Sequence, residues 1–595
     1  MHTYDGKLKP KILKRLIDFS LSDFQIPIRD IERLWVGYAG EHLPIKTLKP
    51  YQLQALHAYS ANKDALIIQA TSSGKSLCFQ IPSMMLQESE FGIILVPTIS
   101  LAESHREAFD SIKVPSVFLN GSTAFKILEL CLNPTEQDAD RSKVFIMTPE
   151  TLFGSSSTTG LLDQLKKVAD KMRFIAIDEV HLVLEWATFR DSFNEVQHLK
   201  NTFECPIFAL TATLKPESVR TVLSSILRDH AVVIKGSIDR PNVQIIFASY
   251  TAKNKVEEDK EWEETANQIV DIVEDHQSIV FTAWGTQCDG ITKAVLRHGV
   301  KAECYTGKLP LEKKKQIYSN MSKKDTQILV ATKSFGTGVN LRGICRIIHV
   351  GLPENIPQLV QEIGRAGRAG EVARAHLLIC EYLDMKKLNF WLKNLSDKEK
   401  HARINDFKDV YLLYSSIFAG ACIRNQILHY FEDENRVPDR PALEVCCTGC
   451  DIQKHQPFQE NEMVAKFARI LQFLKGKGIK TIHEKQLITW VRGDCKSEDA
   501  KWIVDRLHKK DLTTENSFGV GMKSSKAQNT AMVKGILLQM LFLKYVELDF
   551  KPVKDQSNIM KKDWSLTEAG YKVASGELKV PPLPDHTKVF DHLNR

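Results

Sequence analysis

The sequence predicts an α/β chain with two parallel-sheet lobes in tandem, followed by a helical segment with a cysteine cluster and a smaller helix-turn-helix domain. The 595 residues exceed what one hydrophobic core can organise, so three or four domains are expected. Short apolar runs alternate with amphipathic segments, which is typical of buried parallel strands covered by helices on both faces. This series of runs occurs twice, separated by the acidic, lysine-rich stretch 253–264.

Each apolar run has the length of a buried strand. The first series consists of Ala65–Ile68, Ile93–Val96, Val144–Met147, Phe174–Ile177 and Ile207–Leu210. The second series consists of Ser278–Phe281, Ile328–Val330, Arg346–Val350 and Ala375–Ile379. We therefore divide the chain into a helical extension (1–45), a first lobe (46–245), a second lobe (246–395), a helical cysteine-bearing subdomain (396–456), a winged-helix-like domain (457–580) and a tail (581–595).

The composition argues against a membrane-spanning or secreted chain, because no apolar run approaches the roughly 20 residues that cross a bilayer and the first ten residues are polar. We expect a nuclear protein, or a cytoplasmic one in a prokaryote. The net charge of +7 is carried entirely by residues 457–595, which contain 24 Lys and Arg against 17 Asp and Glu. This asymmetry indicates a polyanionic partner, but it is equally compatible with a lysine-rich solvated surface.

A phosphate-binding loop follows the strand candidate Ala65–Ile68. The segment from Gln69 to Ser76 ends in Gly-Lys-Ser and precedes a helix, although the strict pattern would begin with glycine rather than Gln69. We expect Lys75 to neutralise nucleotide phosphates and Ser76 to bind Mg²⁺. The residues expected to surround the phosphates are Thr71, Ser72, Ser73, Gly74, Lys75 and Ser76.

An acidic pair, Asp178 and Glu179, directly follows the strand candidate Phe174–Ile177. Carboxyl ends of strands in such a sheet lie beside the phosphate loop, so we expect Asp178 to hold Mg²⁺ and Glu179 to polarise the attacking water. In the second lobe, the segment Gln361 to Arg368 presents Arg365 and Arg368 among small residues. With Gln361, these arginines are predicted catalytic residues that stabilise charge on the transferring phosphoryl group.

The C-terminal region has the order of a helix-turn-helix with a β-wing. The predicted helices are Met463–Leu474, Glu484–Val491 and Thr530–Leu543, followed by strands Tyr545–Phe550 and Trp564–Leu566 around a loop over 551–563. Lys523 and Lys526 precede the third helix and are candidates for DNA phosphate contacts. The proline-rich segment Val580 to Pro584 is predicted to be disordered.

The order and spacing of these segments resemble those of superfamily-2 helicases. Leu210 to Thr213 resembles the motif that couples the ATP site to the nucleic acid, and Ala331 to Asn340 resembles the fifth motif. Asp239 to Asn242, with its Arg-Pro-Asn, and the aromatic segment after Glu179 are similar to features of the RecQ family. The resemblance implies two RecA-like lobes, ATP and DNA as substrates, and movement in the 3′ to 5′ direction.

The resemblance also implies roles for individual residues. Gln52 would read the adenine edge, beside Lys49 where the family usually has arginine. The aromatic loop would contact DNA, and so would a wedge at the tip of the wing, with the lysines 554, 561 and 562 gripping phosphates. The DNA-contact residues implied in these two places are Trp186, Phe189, Arg190, Ile559 and Met560.

The family's structural zinc site uses four cysteines, and this chain matches three of them: Cys422, Cys447 and Cys450. Residue 453, at the fourth position, is glutamine. Since Zn²⁺ prefers four tetrahedral sulfur or nitrogen ligands, Cys446 is the first candidate for the vacancy and His455 the second. The alternative is that these are ordinary thiols without metal.

Together these features predict an ATP-dependent DNA helicase that uses ATP, Mg²⁺ and Zn²⁺ and acts on single-stranded and forked duplex DNA. Two other interpretations remain open. The aromatic loop has Glu185, Ala187 and Thr188 where the family usually has Gln, Gly and His, which is compatible with a DNA-binding scaffold with weak or uncoupled ATPase activity. An RNA helicase would share the motor motifs, but the cysteine cluster and the winged-helix pattern favour DNA.

Overall fold

The computed structural model describes residues 33, 35–37, 39, 40, 43, 47–71, 73–120, 142–153, 161–186, 191–249, 258–335, 341–393, 395–433, 445–456, 458, 459, 462–476, 478–491, 526–553, 556–585, 589 and 593. Its contacts divide the chain into two compact units; the main division falls between Asp239 and Arg240, and residues 431–433 belong to the first unit. Among the described residues, no helix combines the length and apolarity that crossing a lipid bilayer would require.

The first unit is built on a seven-stranded parallel sheet with the order β3-β4-β2-β5-β6-β1-β7. Its central strands are buried along their whole length, which agrees with their continuous apolar sequences. The strands are β1 (Ala65–Ile68), β2 (Phe91–Leu95), β3 (Ser116–Phe118), β4 (Val144–Met147), β5 (Met172–Ile177), β6 (Ile207–Thr211) and β7 (Val232–Lys235).

Helices cover this sheet and separate its apolar side chains into two clusters, as expected for a sheet packed on both faces. The described helices are α1 (Pro50–Ser60), α2 (Leu77–Met84), α3 (Ile99–Ser111), α4 (Pro149–Phe153), α5 (Leu161–Lys167), α6 (Val180–Trp186), α7 (Asp191–Asn194), α8 (Leu199–Thr202) and α9 (Pro216–Thr221). Short 3-10 segments cover Ala169–Lys171 and Glu195–His198, and a π turn covers Val222–Ile226.

The second unit contains a six-stranded parallel sheet with the order β10-β11-β9-β12-β13-β8. Its strands are β8 (Val243–Ser249), β9 (Ser278–Thr282), β10 (Ala302–Tyr305), β11 (Ile328–Thr332), β12 (Arg346–Val350) and β13 (Ala373–Ile379). The predicted lobe boundary at 245 falls inside β8, which pairs with β13 along its whole length. The described helices between strands are α10 (Glu258–Val273), α11 (Gly285–Arg297), α12 (Leu311–Lys323) and α13 (Ile356–Ile363).

The same unit continues into helices and two small antiparallel sheets, β14-β18 and β15-β17-β16. The helices are α14 (Glu381–Trp391), α15 (Asp397–Ser415), α16 (Ile423–Tyr430), α17 (Thr448–His455), α18 (Glu462–Gly476), α19 (Glu484–Val491), α20 (Lys526–Phe542) and α21 (Glu568–Ser575). The strands are β14 (Phe458–Gln459), β15 (Ile482–His483), β16 (Val546–Val553), β17 (Gln556–Leu566) and β18 (Leu583–Pro584).

Two predictions about this region were wrong. The predicted loop over 551–563 is instead a long hairpin, because β16 and β17 pair continuously from Val546 to Pro552 and then shift register at Val553. The predicted disorder of Val580 to Pro584 fails as well, since β18 pairs with β14 and Leu583 is buried. A proline is tolerated there because β18 is an edge strand.

Candidate functional site

The phosphate loop follows β1 at the carboxyl edge of the first sheet, where ligands bind in open parallel sheets. The ammonium of Lys75 donates to the backbone carbonyls of Gln69 and Ala70, at 3.0 and 3.3 Å. Gln69, which replaces the usual glycine, is buried, and its amide packs against Gly236, where an added Cβ would lie 2.2 Å from the Gln69 Oε1. The Gln69 side chain thus occupies the space beside Gly236, at the start of the phosphate loop.

Helix α1 fixes the other side of this loop. The Lys49 ammonium and the Tyr51 hydroxyl both donate to the carbonyl of Ser73, at 2.7 and 2.9 Å. The Gln52 amide donates to the carbonyl of Gly74 at 2.9 Å. Lys49 and Gln52, which were expected to recognise adenine, are thus hydrogen-bonded to the backbone of the phosphate loop. Of the residues predicted in this loop, Ser72 lies outside the described part of the chain.

Asp178 lies at the end of β5 and is held by a partner that sequence reasoning missed. The Nε2 atom of His105, on α3, lies 2.9 Å from the Oδ2 of Asp178, and both side chains are buried. Burial alone would raise the pKa of Asp178, but the hydrogen bond and charge of His105, together with Lys75, outweigh it, so the pKa is lowered. An ionised, oriented carboxylate beside the phosphate loop suits a Mg²⁺ site with Ser76.

The next residues connect the acidic pair to β6. Glu179 has a positive φ of 52°, an unusual backbone conformation for a residue with a side chain, of the kind found at active sites. His181 lies 3.3 Å from the Glu179 carboxylate through its Nδ1 atom, and the same atom lies 2.9 Å from the Thr211 hydroxyl. Thr211 in turn donates to the carbonyl of Thr213 at 3.0 Å, so hydrogen bonds join His181, which lies beside Glu179, to the segment after β6.

In the second unit, the Arg-Pro-Asn segment supports the loop that carries the two catalytic arginine candidates. The Arg240 guanidinium donates to the carbonyls of Gly364, Ala366 and Gly367 at 2.8–2.9 Å. The Asn242 amide donates to the carbonyl of Gly367 at 2.9 Å. Gly367 has φ +61°, and an added Cβ there would lie 2.4 Å from the Asn242 amide nitrogen, so the loop requires glycine.

This loop brings three guanidinium groups together. Arg365 is buried and its guanidinium lies 5.8 Å from the centre of the Phe335 ring. Burial, followed by the charges of Arg365 and Arg240, lowers the pKa of Arg368 to about 9. Because the three guanidinium groups repel one another, a bound anion would stabilise all of them. A site that transfers phosphoryl groups needs this attraction for negative charge. Gln361 lies on α13, half-buried, one turn before Arg365.

The cysteine prediction resolves in favour of Cys446, because the sulfur atoms of Cys422, Cys446, Cys447 and Cys450 all lie within 4.8 Å of one another. Neighbouring sulfurs are separated by 3.5 to 3.9 Å, close to the roughly 3.8 Å edge of a tetrahedron with 2.3 Å Zn–S bonds. His455 lies outside the cluster and contacts Asp451 instead, at 3.0 Å. The donor set therefore fits a zinc ion.

The backbone around the cluster explains how adjacent cysteines reach one centre. The Ile423 amide donates to the Cys447 sulfur at 3.3 Å, a contact that favours a thiolate. The Ile245 amide donates to the Cys446 carbonyl at 3.1 Å, which ties the pair to strand β8. At Gly449 an added Cβ would lie 1.9 Å from the Ala421 carbonyl oxygen, so only glycine lets the two segments approach.

Comparison with known proteins identifies both lobes. The DEAD/DEAH box helicase model matches residues 49–222, and the helicase conserved C-terminal domain model matches residues 263–370. The ATP-dependent DNA helicase RecQ of Pasteurella multocida is 26% identical over 468 residues, covering 78% of this chain and 67% of that protein. The chain is thus similar to RecQ-family DNA helicases over most of its length and carries both helicase domains.

Some relatives are much longer than this chain. The RecQ-like DNA helicase BLM of Xenopus laevis is 25% identical over 431 residues, which are 71% of this chain but 31% of that protein. Among solved structures, the helicase Lhr of Mycobacterium smegmatis, bound to ssDNA and AMP-PNP, has a TM-score of 0.47 and 20% identity. The match covers 69% of this chain and 56% of that one.

Four of the seven residues expected to contact DNA lie in the described part of the chain. Trp186 ends α6 and packs half-buried against Phe193, with ring centres 5.5 Å apart. Lys526 begins α20, and Ile559 and Met560 lie within β17, where Met560 pairs with Pro552. Ile559 and Met560 therefore do not lie at the hairpin tip, and the prediction that they form a wedge there was wrong. The others, Phe189, Arg190 and Lys523, lie outside the described residues.

Lys562 was expected to grip DNA phosphates, and this prediction was also wrong. Its ammonium is buried between the carboxylates of Glu381 and Glu484, 2.7 Å from the latter, and donates to the Tyr411 hydroxyl at 2.9 Å. Lys534 contacts Glu381 as well. Because these residues come from α14, α15, α19, α20 and β17, the network joins the C-terminal hairpin to the second lobe.

Proposed function

We propose that this chain is an ATP-dependent DNA helicase that moves 3′ to 5′ on single-stranded DNA and separates the duplex ahead of it. The observation that carries the proposal is that His181, 3.3 Å from the Glu179 carboxylate, is hydrogen-bonded to Thr211, which donates to the carbonyl of Thr213. These contacts connect the side chain beside the catalytic carboxylate to the segment that follows the neighbouring strand.

The roles of the residues follow from their chemistry. Lys75 would exchange its contacts with loop carbonyls for nucleotide phosphates, and Asp178 and Ser76 would hold a Mg²⁺ ion, which would neutralise phosphate charge. Glu179 orients and polarises the attacking water. Arg365 and Arg368 stabilise the charge that develops on the phosphoryl group, and Gln361 acts beside them.

The four-cysteine cluster supports a structural zinc ion as the second cofactor. A closed site of four cysteines leaves no position for substrate, so the metal would act in folding rather than in catalysis. It would fix α16 and α17 against β8, because the cluster joins these three elements.

Residues 457–580 support a winged-helix module that binds the duplex at the fork. Helices α18, α19 and α20 accompany a three-stranded antiparallel sheet, whose strand β15 lies between α18 and α19 and whose strands β16 and β17 form a long hairpin after α20. The hairpin supplies the separating element in this proposal. Replacing Val553–Met560 by a tight turn should reduce duplex unwinding and spare ATPase activity stimulated by single-stranded DNA; unwinding equal to that of the parent would exclude the hairpin as that element.

The test of the proposed function combines two assays. ATP hydrolysis is measured without nucleic acid, with single-stranded DNA and with single-stranded RNA of the same sequence. Unwinding is measured on labelled duplexes that carry a 3′ or a 5′ single-stranded tail. The proposal expects DNA stimulation and preferential unwinding of the 3′-tailed duplex. Stronger stimulation by RNA, or hydrolysis without unwinding, would contradict it.

In a eukaryotic cell this activity would place the chain in the nucleus, where its DNA substrates are. The assignment rests on the substrate alone.

A further inference from the structure

An aromatic pair lies at the carboxyl edge of the second sheet and takes no part in the ATP site described above. Trp284 follows β9 directly and precedes α11, and its ring centre lies 5.5 Å from that of Phe390 on α14. Phe390 is 44% exposed, one of the more exposed large apolar side chains in the described part of the chain. The Phe390 ring therefore presents part of its apolar surface to solvent beside Trp284.

Cations flank the pair. The Lys386 ammonium lies 5.7 Å from the centre of the Trp284 ring, one helical turn from Phe390 on α14. On the other side, the loop after β10 approaches Gly285, where an added Cβ would lie 3.8 Å from the Thr306 methyl group. Lys308, two residues further along this loop, is exposed.

The position within the fold strengthens the case for a ligand. Trp284 lies between the ends of β11 and β12 in the sheet order, and ligands of open parallel sheets bind outside these ends. Aromatic faces beside lysines match one class of ligand in particular. Single-stranded DNA offers unpaired bases that stack and phosphates that attract cations, whereas the bases of a duplex are already stacked on one another.

We propose that Trp284 and Phe390 form a stacking platform for the bases of single-stranded DNA, with Lys386 and Lys308 contacting its phosphates. The proposal rests on the proposed function and adds to it a second-lobe contact for the translocating strand. The platform would hold bases irrespective of their identity, because every base has a π face. A motor that moves along any sequence needs contacts of this kind.

The test measures binding of a fluorescein-labelled oligo(dT) by fluorescence anisotropy, without nucleotide. Trp284→Ala and Phe390→Ala should each weaken binding by about 5- to 100-fold, the range expected for loss of one stacked base. Trp284→Phe should recover most of the affinity, because it keeps an aromatic face. Leu296→Ala is the matched control, since this side chain is 49% exposed near the opposite end of α11.

The basal ATPase rate should be unchanged in all variants, which shows that they are folded. If the parent binds single-stranded DNA and both alanine variants bind within twofold of it, the platform is excluded and the proposed function stands. An equal loss of affinity for single-stranded and duplex DNA would also overturn the platform, because it would indicate phosphate contacts only. If the parent binds no single-stranded DNA, both proposals fail.

Discussion

Replacing Lys562 by methionine gives the sharpest test of the buried charge network. The Lys562 side chain is 5% exposed and contacts Glu381, Glu484 and Tyr411. Methionine keeps most of the apolar stem but removes the charge. The two carboxylates would then share Lys534 as the remaining cation of the network, whose ammonium is 3.9 Å from Glu484.

The expected loss of stability is about 3–5 kcal/mol, the usual cost of leaving a buried charge without its partner. A unit charge 4 Å from an opposite charge contributes about 4 kcal/mol at an effective dielectric constant of 20, which agrees with this range. Burial alone would lower the pKa of Lys562, but Glu381 and Glu484 raise it well above 10.5. A raised pKa means that the stabilisation is fully present below pH 10.5 and is lost only as the pH rises through the raised value.

Differential scanning calorimetry at pH 7 measures the effect. For a domain of 150–250 residues, 1 kcal/mol shifts Tm by about 2–4 °C, so a decrease of roughly 10 °C is expected in the transition of the C-terminal region. Lys579→Met, which removes an exposed lysine from the same region, should shift Tm by less than 2 °C. The double variant Lys562→Met, Glu484→Gln should recover part of the loss, because it removes one of the unpaired charges.

A decrease of less than 2 °C in Lys562→Met would refute the reasoning. DNA binding provides an independent measurement. Because Lys562 is buried, the folded variant should bind single-stranded DNA as tightly as the parent at 25 °C; a large loss of affinity with unchanged Tm would show that this lysine contacts phosphates instead.

Four further predictions concern the ATP site and the metal cluster. Lys75→Ala should abolish ATP turnover and leave DNA binding within several-fold, since the loop binds nucleotide; surviving DNA-stimulated ATPase activity would exclude the site. Arg368→Ala should lower kcat by about 10³-fold with little change in nucleotide affinity, and a rise in KM alone would contradict this role. His105→Leu should weaken Mg²⁺-dependent binding of a fluorescent ATP analogue by about 10-fold or more, with recovery in His105→Gln. The purified protein should contain about one zinc ion by elemental analysis, and Cys446→Ser should lose it and lower Tm.

Two controls sharpen these measurements. Binding of the ATP analogue in EDTA should be equal in His105→Leu and the parent, because His105 acts on the carboxylate that holds Mg²⁺; an equal decrease with and without Mg²⁺ would point to damaged packing. For zinc, Cys205→Ser serves as the matched variant, since Cys205 lies outside the cluster in the first lobe.

The sequence by itself determined the two lobes and the order of the motor motifs. Strands such as Ile93–Val96 and Ile328–Val330 are continuous apolar runs, and such runs are buried on both faces wherever they occur. The phosphate loop and the Asp178–Glu179 pair were predicted for a similar reason. Their chemistry is local to a strand end, and the carboxyl ends of parallel strands meet at one edge. The cysteine cluster was expected from the resemblance to the RecQ family, although its fourth member remained open.

The tertiary structure alone decided which side chains support these residues. His105 is 73 residues from Asp178, Arg240 is 124 residues from Gly364, and Lys562 is 151 residues from Tyr411. Contacts at such separations leave no periodicity or spacing in the sequence, because they depend on how the elements pack. From the sequence, Lys562 was therefore predicted to be a surface charge, and only the structure shows that it is buried between two carboxylates. The two strands of the β16–β17 hairpin were predicted, but their extension over 551–563 was missed, because the polar residues there are held by pairing with the opposite strand rather than marked by an apolar pattern.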